Sequence, residues 1–193
     1  MKKKILIILA HPDKKSFNGA LLDAYKKGAK AAGHTVRVLH MGALDFDPVL
    51  HNGYTKIQEL EPDLVGAQKD ITWAEHIAIV CPVWWGTMPA VLKGFFDRAF
   101  LPGFAFKFHK NGRRWDKLLK GRTAHLIITM NTYPLIHWLM VRNAGHRILR
   151  DGILKFCGIK VTKQTSLGPV NEFDEKKKEV WFKRMEESGK KGI

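Results

Sequence analysis

Cys81-Pro82-Val83-Trp84-Trp85-Gly86-Thr87-Met88-Pro89 follows directly on the apolar run Ile77–Val80 and sets two adjacent indoles beside a glycine turn. An apolar run ending this way reads as a buried parallel strand whose loop opens at the carboxyl end of a sheet, where open α/β folds bind ligands. Aromatic walls and nearby backbone amides suit a planar ligand. Trp84, Trp85 and Gly86, with Pro82 and Val83 leading in, are therefore candidate binding residues. The competing assignment makes both tryptophans core or dimer-contact residues. A second loop, His11-Pro12-Asp13-Lys14-Lys15-Ser16-Phe17-Asn18, opens a helix. Its free amides and the positive end of the helix dipole make an anion site. Ser16 and Asn18 add side-chain donors suited to a phosphate, and His11 adds a donor or a charge. Alternatively, Ser16 or Asp13 only caps the helix. The loop has neither G-x-G-x-x-G nor G-x-x-x-x-G-K-[ST], which argues against a dinucleotide-type Rossmann site and a P-loop.

These loops need a frame, and the chain alternates strand and helix throughout. Lys4–Ala10 is the first strand; Ser16–Ala32 is a helix with Phe17, Leu21, Ala24, Tyr25 and Gly28 on its inner stripe, stopped by Gly33. Thr35–Leu39 is the second strand, and an irregular connector leads to a helix over Pro62–Ala74. Ile77–Cys81 is the third strand and Pro89–Phe100 the next helix, followed by an excursion, Leu101–Lys117, with Phe104, Phe106 and Phe108 at period two. The excursion reads as a small hairpin or lid with a basic turn at Asn111-Gly112-Arg113-Arg114. Arg122–Thr129 is the fourth strand, about Ile136 to Phe156 is helical, Lys160–Ser166 is the fifth strand, and Phe173–Ser188 is a charged terminal helix. Five strands separated by helices imply one domain spanning 1–193. It is a three-layer α/β/α sandwich with a five-stranded parallel sheet in the flavodoxin-like order 2-1-3-4-5. The switch point then lies between the first and third strands, with the segment after the fourth strand beside it.

Composition narrows the class. At 193 residues, with 45% hydrophobic and 26% charged residues, the chain is long enough for a full core and ordinary for a globular protein. Met1-Lys2-Lys3-Lys4 and Ile5–Ala10 resemble a signal peptide only superficially: the run is short and His11-Pro12-Asp13 ends it without a cleavage site. The expected location is cytoplasmic. Two cysteines, Cys81 and Cys157, in no C-x-x-C pair read as reduced core thiols. The net charge of +15 favours anionic partners, and peripheral contact with an anionic membrane face is compatible with it. The cations are scattered without interleaved aromatics, so nucleic acid is not an expected partner. No H-E-x-x-H or C-x-x-C metal pattern occurs. His137 and His146 are expected on a helix surface or in ordinary hydrogen bonds, and Arg142, His146, Arg147 and Arg150 as exposed helix charges.

His11-Pro12 after a first strand, then Ser16-Phe17-Asn18, resembles the opening motif of the NAD(P)H:quinone oxidoreductase family, the flavodoxin-like DT-diaphorase group. Pro82 to Arg98 is similar to that family's isoalloxazine loop and following helix almost position for position. Phe104-Ala105-Phe106 matches a segment that supplies aromatic groups over the flavin, and Phe156-Cys157-Gly158 the turn before the last strand. The resemblance implies a bound flavin and a homodimer with its crevices at the subunit interface. It also implies ping-pong hydride transfer from NADPH or NADH to a quinone, with azo and nitroaromatic compounds as further acceptors. The site residues it implies are His11, Ser16, Phe17, Asn18, Pro82, Val83, Trp84, Trp85, Gly86, Thr129, Met130 and Asn131 for the cofactor, with Phe106 and Phe108 closing the pocket. Members with the mammalian type of site carry paired glycines after the fourth strand, then a tyrosine and a histidine that handle protons. Here that segment reads Thr129-Met130-Asn131-Thr132-Tyr133-Pro134. Its lack of glycines shifts the expected cofactor toward FMN, with FAD the alternative. Tyr133 and His137 lie nearby as candidate catalytic residues without a matched position. The family also includes reductase subunits of potassium-efflux systems, which gives an alternative role as a regulatory flavoprotein on a membrane transporter.

Overall fold

The computed structural model describes residues 1–110 and 112–193. Its central sheet is built from β1 (Lys4–Leu9), β2 (Thr35–His40), β3 (His76–Pro82), β6 (Thr123–Thr129) and β7 (Lys160–Leu167). The strands lie in the order β2-β1-β3-β6-β7 with every neighbouring pair parallel. Counting these five alone, the order is the expected 2-1-3-4-5. The two remaining strands, β4 (Phe106–Phe108) and β5 (Trp115–Lys117), form a separate antiparallel hairpin within the 101–117 excursion. The basic turn expected there includes Asn111, which lies outside the described residues.

Alternation along the central strands explains the three layers. In β1, Leu6 and Ile8 face one core, and Ile5, Ile7 and Leu9 face the other; β3 repeats this with Ile77, Ile79 and Cys81 against Ala78 and Val80. With both faces covered, every residue of β3 is buried, as a central parallel strand requires. The first core is closed by α2 (Pro62–Trp73), α3 (Ala90–Ala99) and the helical segment after β6. The second is closed by α1 (Phe17–Ala31) and α7 (Glu175–Lys191). Each aliphatic side chain sealed this way contributes roughly 1.5–3 kcal/mol. Backbones of α1 and α7 touch: a Cβ on Gly28 would meet Glu186 O at 1.9 Å, and one on Gly189 would meet Tyr25 O at 2.0 Å.

Three expectations need correction. The inner stripe of α1 is broader than its periodicity implied. Leu22 and Ala29 are buried with Leu21, Tyr25 and Gly28, whereas Phe17 and Ala24 are half-buried. The cause is that α1 packs on the sheet and on α7 at once. The terminal helix begins at Glu175 because Asp174 caps it, its Oδ1 accepting from Lys177 N at 2.7 Å. The single helix expected over 136–156 is broken. α4 (Pro134–Val141) stops where Arg142 and Asn143 both turn left-handed, at φ 51° and 52°. α5 (Ala144–Arg147), a π-helical turn (Ile148–Leu154) and α6 (Lys155–Cys157) complete the segment. Among the described residues no helix is long and apolar enough to cross a membrane.

Candidate functional site

At the switch point a cleft of about 590 Å³ opens beyond the carboxyl ends of β1, β3 and β6. It is lined by all twelve cofactor-binding candidates: His11, Ser16, Phe17, Asn18, Pro82, Val83, Trp84, Trp85, Gly86, Thr129, Met130 and Asn131. Its size falls within the usual range for small-molecule sites.

The β3 loop is a tight reversal. Trp84 N–H donates to Thr87 O at 2.9 Å and Thr87 N–H returns to Trp84 O at 3.1 Å. The two central residues, Trp85 and Gly86, have φ of 50° and 76°, the pattern of a type I′ turn. Glycine takes this conformation freely, but a tryptophan gives up roughly 1–2 kcal/mol. The strain is accompanied by full exposure: Trp85 is 103% exposed and Trp84 43%, so neither belongs to the core. The Trp85 and Gly86 amides have no partner among the described residues. Trp84 meets the His11 ring edge-on at 5.7 Å.

Across the cleft, Ser16 caps α1. Its Oγ donates to Asp13 O at 2.7 Å and accepts from Gly19 N at 3.3 Å, so the hydroxyl is committed to the helix. The Phe17 and Asn18 amides, in the first turn, have no partner among the described residues. Asn18 is buried, and Thr129 Oγ1 donates to its Oδ1 at 3.0 Å, tying the first loop to the end of β6. His11 Nδ1 lies 3.0 Å from both the amide nitrogen and the carbonyl oxygen of Asp13, so that nitrogen is engaged within the loop and the other ring nitrogen has no partner among the described residues.

Not every candidate converges. Phe106 and Phe108 line a separate cavity of about 530 Å³ with Phe96, Phe100, Ile153 and Phe156, so within one chain they do not roof the cleft. Tyr133 is exposed outside it and donates to Glu172 Oε2 at 3.1 Å; that carboxylate pushes its phenol above the ordinary value. His137 does line the cleft, but not from a helix surface. It and His146 are buried, with ring centroids 5.4 Å apart. Each makes one hydrogen bond: His137 Nδ1 with Asn143 Oδ1 at 3.0 Å and His146 Nε2 with Ser166 Oγ at 3.1 Å. Burial lowers the His146 pKa to about 4, with His137 and Arg150 adding to the effect, so this ring is not one of the exposed helix charges. Thr132, Met140, Val141 and Val170 complete the wall. Met140 and Val141 share a helical face with His137, a spacing visible in the sequence; nothing local marks Val170.

Comparison with known proteins fits this geometry. The profile of the flavodoxin-like fold family matches residues 3–187. Human ribosyldihydronicotinamide dehydrogenase [quinone] is 30% identical over 95% of this chain and 91% of its own. The chain belongs to the flavodoxin-like NAD(P)H dehydrogenase (quinone) family. A second quinone dehydrogenase of this family, NAD(P)H dehydrogenase [quinone] 1 of Cavia porcellus, is 30% identical over 95% of this chain and 76% of its own. Among solved members of the fold, Smu.1420 from Streptococcus mutans UA159 superposes with a TM-score of 0.83 at 29% identity, covering 97% of this chain and 99% of that one.

Proposed function

We propose that this protein is a flavin-dependent NAD(P)H:quinone oxidoreductase, taking hydride from NADPH or NADH and passing it to a quinone in ping-pong order. One juxtaposition carries the reading. The exposed Trp85 ring, the unpartnered Trp85 and Gly86 amides and the open first turn of α1 share a single cleft of about 590 Å³. A flat ring with a phosphate tail fits that donor set. The Phe17 and Asn18 amides, with His11 beside them, would hold the phosphate end, while the Trp84–Gly86 turn would present amides to the polar edge of the ring. Trp85 would cover the ring against water. A flavin bound there would supply the redox chemistry, hydride transfer between the nicotinamide and the acceptor. We assign FMN rather than FAD, because Met130 and Asn131 stand where the mammalian type of site has paired glycines.

The reading includes a homodimer. Beside the cleft, α4 turns Leu135, Ile136, Trp138, Leu139 and Met140 outward, an apolar face of the kind proteins cover. Phe106 and Phe108 lie off their own chain's cleft, and the partner's lid in place of them would complete it. A cytoplasmic location accords with two buried, unpaired thiols. No observation favours the transporter-subunit alternative. Steady-state oxidation of NADPH or NADH with menadione tests the reading: it requires parallel double-reciprocal lines, and an FMN-loaded protein without turnover refutes it. Sedimentation tests the dimer, which Leu135→Lys with Leu139→Lys should convert to monomer.

A further inference from the structure

Cations scattered along the sequence converge in the fold, and not at the cleft. Among the described residues no lysine or arginine lines the cleft, although the chain carries a net charge of +15. At the opposite end of the sheet, where β7 begins, a hollow of about 560 Å³ lies between the end of β5, the turn after it and the π-helical turn with α6. Lys117, Lys120, Arg150, Lys155 and Lys160 line it, with Asp151 as the one acid. Five of its nine lining residues are therefore cationic, against 33 of 193 in the whole chain, so the hollow concentrates charge well beyond its share.

The acid does not neutralise the group. Arg150 takes both Asp151 oxygens, Nε donating to Oδ1 at 3.0 Å and Nη2 to Oδ2 at 2.7 Å. Those hydrogen bonds hold the Asp151 carboxyl below the usual carboxylate range. Lys117, Lys120, Lys155 and Lys160 have no carboxylate within ion-pair distance among the described residues, whereas Lys27, Lys93, Lys178 and Lys190 each have one. Four ammonium groups with no counter-charge repel one another and focus a positive potential into the hollow.

Backbone contacts fix where these stems emerge. Leu119 is buried in the core, and its N–H donates to Cys157 O at 3.0 Å. Lys160 N–H donates to Arg122 O at 2.9 Å. Gly158 lies beneath the first two lysines: a Cβ there would stand 3.0 Å from both Lys117 Cβ and Lys120 Cγ, so its bare Cα admits both stems. Ile159 and Val161 add apolar surface, and no aromatic ring lines the hollow. It offers charge without a surface on which a base could stack.

We propose that this hollow is a binding site for a small polyanion carrying two or more phosphate groups. Each lysine ammonium is a compact charge with three rotatable donors, suited to phosphate oxygens. The phosphates belong to a soluble polyphosphate compound or to a lipid headgroup, which offer the lysines the same chemistry. The site shares no residue with the cleft and does not rest on the flavin reading.

The test is calorimetric titration of the purified protein with inorganic tripolyphosphate at about 0.15 M salt, with FMN in excess to fill the anion site of the cleft. Wild type is compared with Lys120→Gln/Lys155→Gln in the hollow and Lys183→Gln/Lys191→Gln in a second basic hollow beside Trp181. Both doubles lose two charges. None of the four ammonium groups makes a hydrogen bond or close ion pair among the described residues, so both variants fold. Wild type should show saturable binding, with the Kd raised about tenfold in the first double and within about twofold of wild type in the second. No saturable binding, or equal weakening in the two doubles, overturns the proposal. Cosedimentation with cardiolipin vesicles then separates the sources. Wild type that pellets while the first double stays in solution identifies the headgroup; any other result leaves the soluble compound as the ligand.

Discussion

Gly145→Ala is the substitution that most directly tests how the cleft is positioned. Gly145 lies in α5, and its bare Cα abuts the Trp84–Thr87 turn. A Cβ there would stand 2.7 Å from Thr87 Cα and 2.9 Å from Gly86 O. Non-bonded carbons rest at about 3.5–4.0 Å, so helix and turn must separate by roughly 1 Å. Both clashing atoms belong to backbone, and no rotamer change relieves them. Overpacking of this kind costs about 1–3 kcal/mol, which in a chain of this length lowers the thermal midpoint by about 3–10 °C. The larger effect is on function, since displacing a positioning loop by about 1 Å costs on the order of a hundredfold in turnover. Gly152→Ala is the internal control. It lies in the same helical segment, yet its Cβ would meet only Ile148 Cγ2 at 4.0 Å; there alanine should stabilise by about 0.5–1 kcal/mol. Both variants are assayed by thermal melting, FMN titration and kcat/KM with menadione. If Gly145→Ala matches Gly152→Ala in all three, α5 does not hold the turn and the positioning argument fails.

Trp85→Ala should leave the thermal midpoint unchanged, since the side chain is wholly exposed, yet weaken FMN binding more than Trp84→Ala; equal, negligible effects would put the ring elsewhere. His76 and His125 are buried, and desolvation lowers their pKa values to about 4 and about 3. The unfolded chain therefore binds their protons first, as pH falls below about 6.5. Each should remove up to about 1.4 kcal/mol of stability per pH unit until its folded-state pKa is reached. Denaturant melts between pH 7 and 4 should show this slope, and His125→Gln should flatten it; an unchanged slope contradicts it. Arg98, 1% exposed, holds Glu61 through both carboxylate oxygens at 3.0 and 2.9 Å and donates to the carbonyls of Asp47 and Glu59. Arg98→Ala should cost about 3–5 kcal/mol and expose the 45–61 segment to limited proteolysis, whereas a resistant variant would show that other contacts pin the segment.

The sheet was legible because its strands are short apolar runs bounded by turn residues, and only a few orders satisfy right-handed crossovers. The cleft loops were legible because a strand end and a helix start put their chemistry in consecutive residues, such as Trp84-Trp85-Gly86 and Ser16-Phe17-Asn18. The break at Arg142–Asn143 was not, since neither residue excludes helix and the contact that follows it, Gly145 against the Trp84–Thr87 turn, is tertiary. Burial of His137 escaped for a related reason: hydrophobic periodicity assigns a histidine among leucines and a tryptophan to the solvent face, and here the tertiary arrangement inverts it. The lid aromatics Phe106 and Phe108 follow the expected period two, but periodicity says nothing about whose cleft they cover.

The absorbance spectrum of the purified protein, followed by release and mass identification of any chromophore and anaerobic addition of NADPH and NADH, tests the central claim most directly. The account predicts a yellow protein, or an apo-protein made yellow by FMN, whose flavin bleaches within the mixing time on addition of a nicotinamide donor and recovers with a quinone. A colourless protein that stays apo when offered FMN and FAD contradicts it.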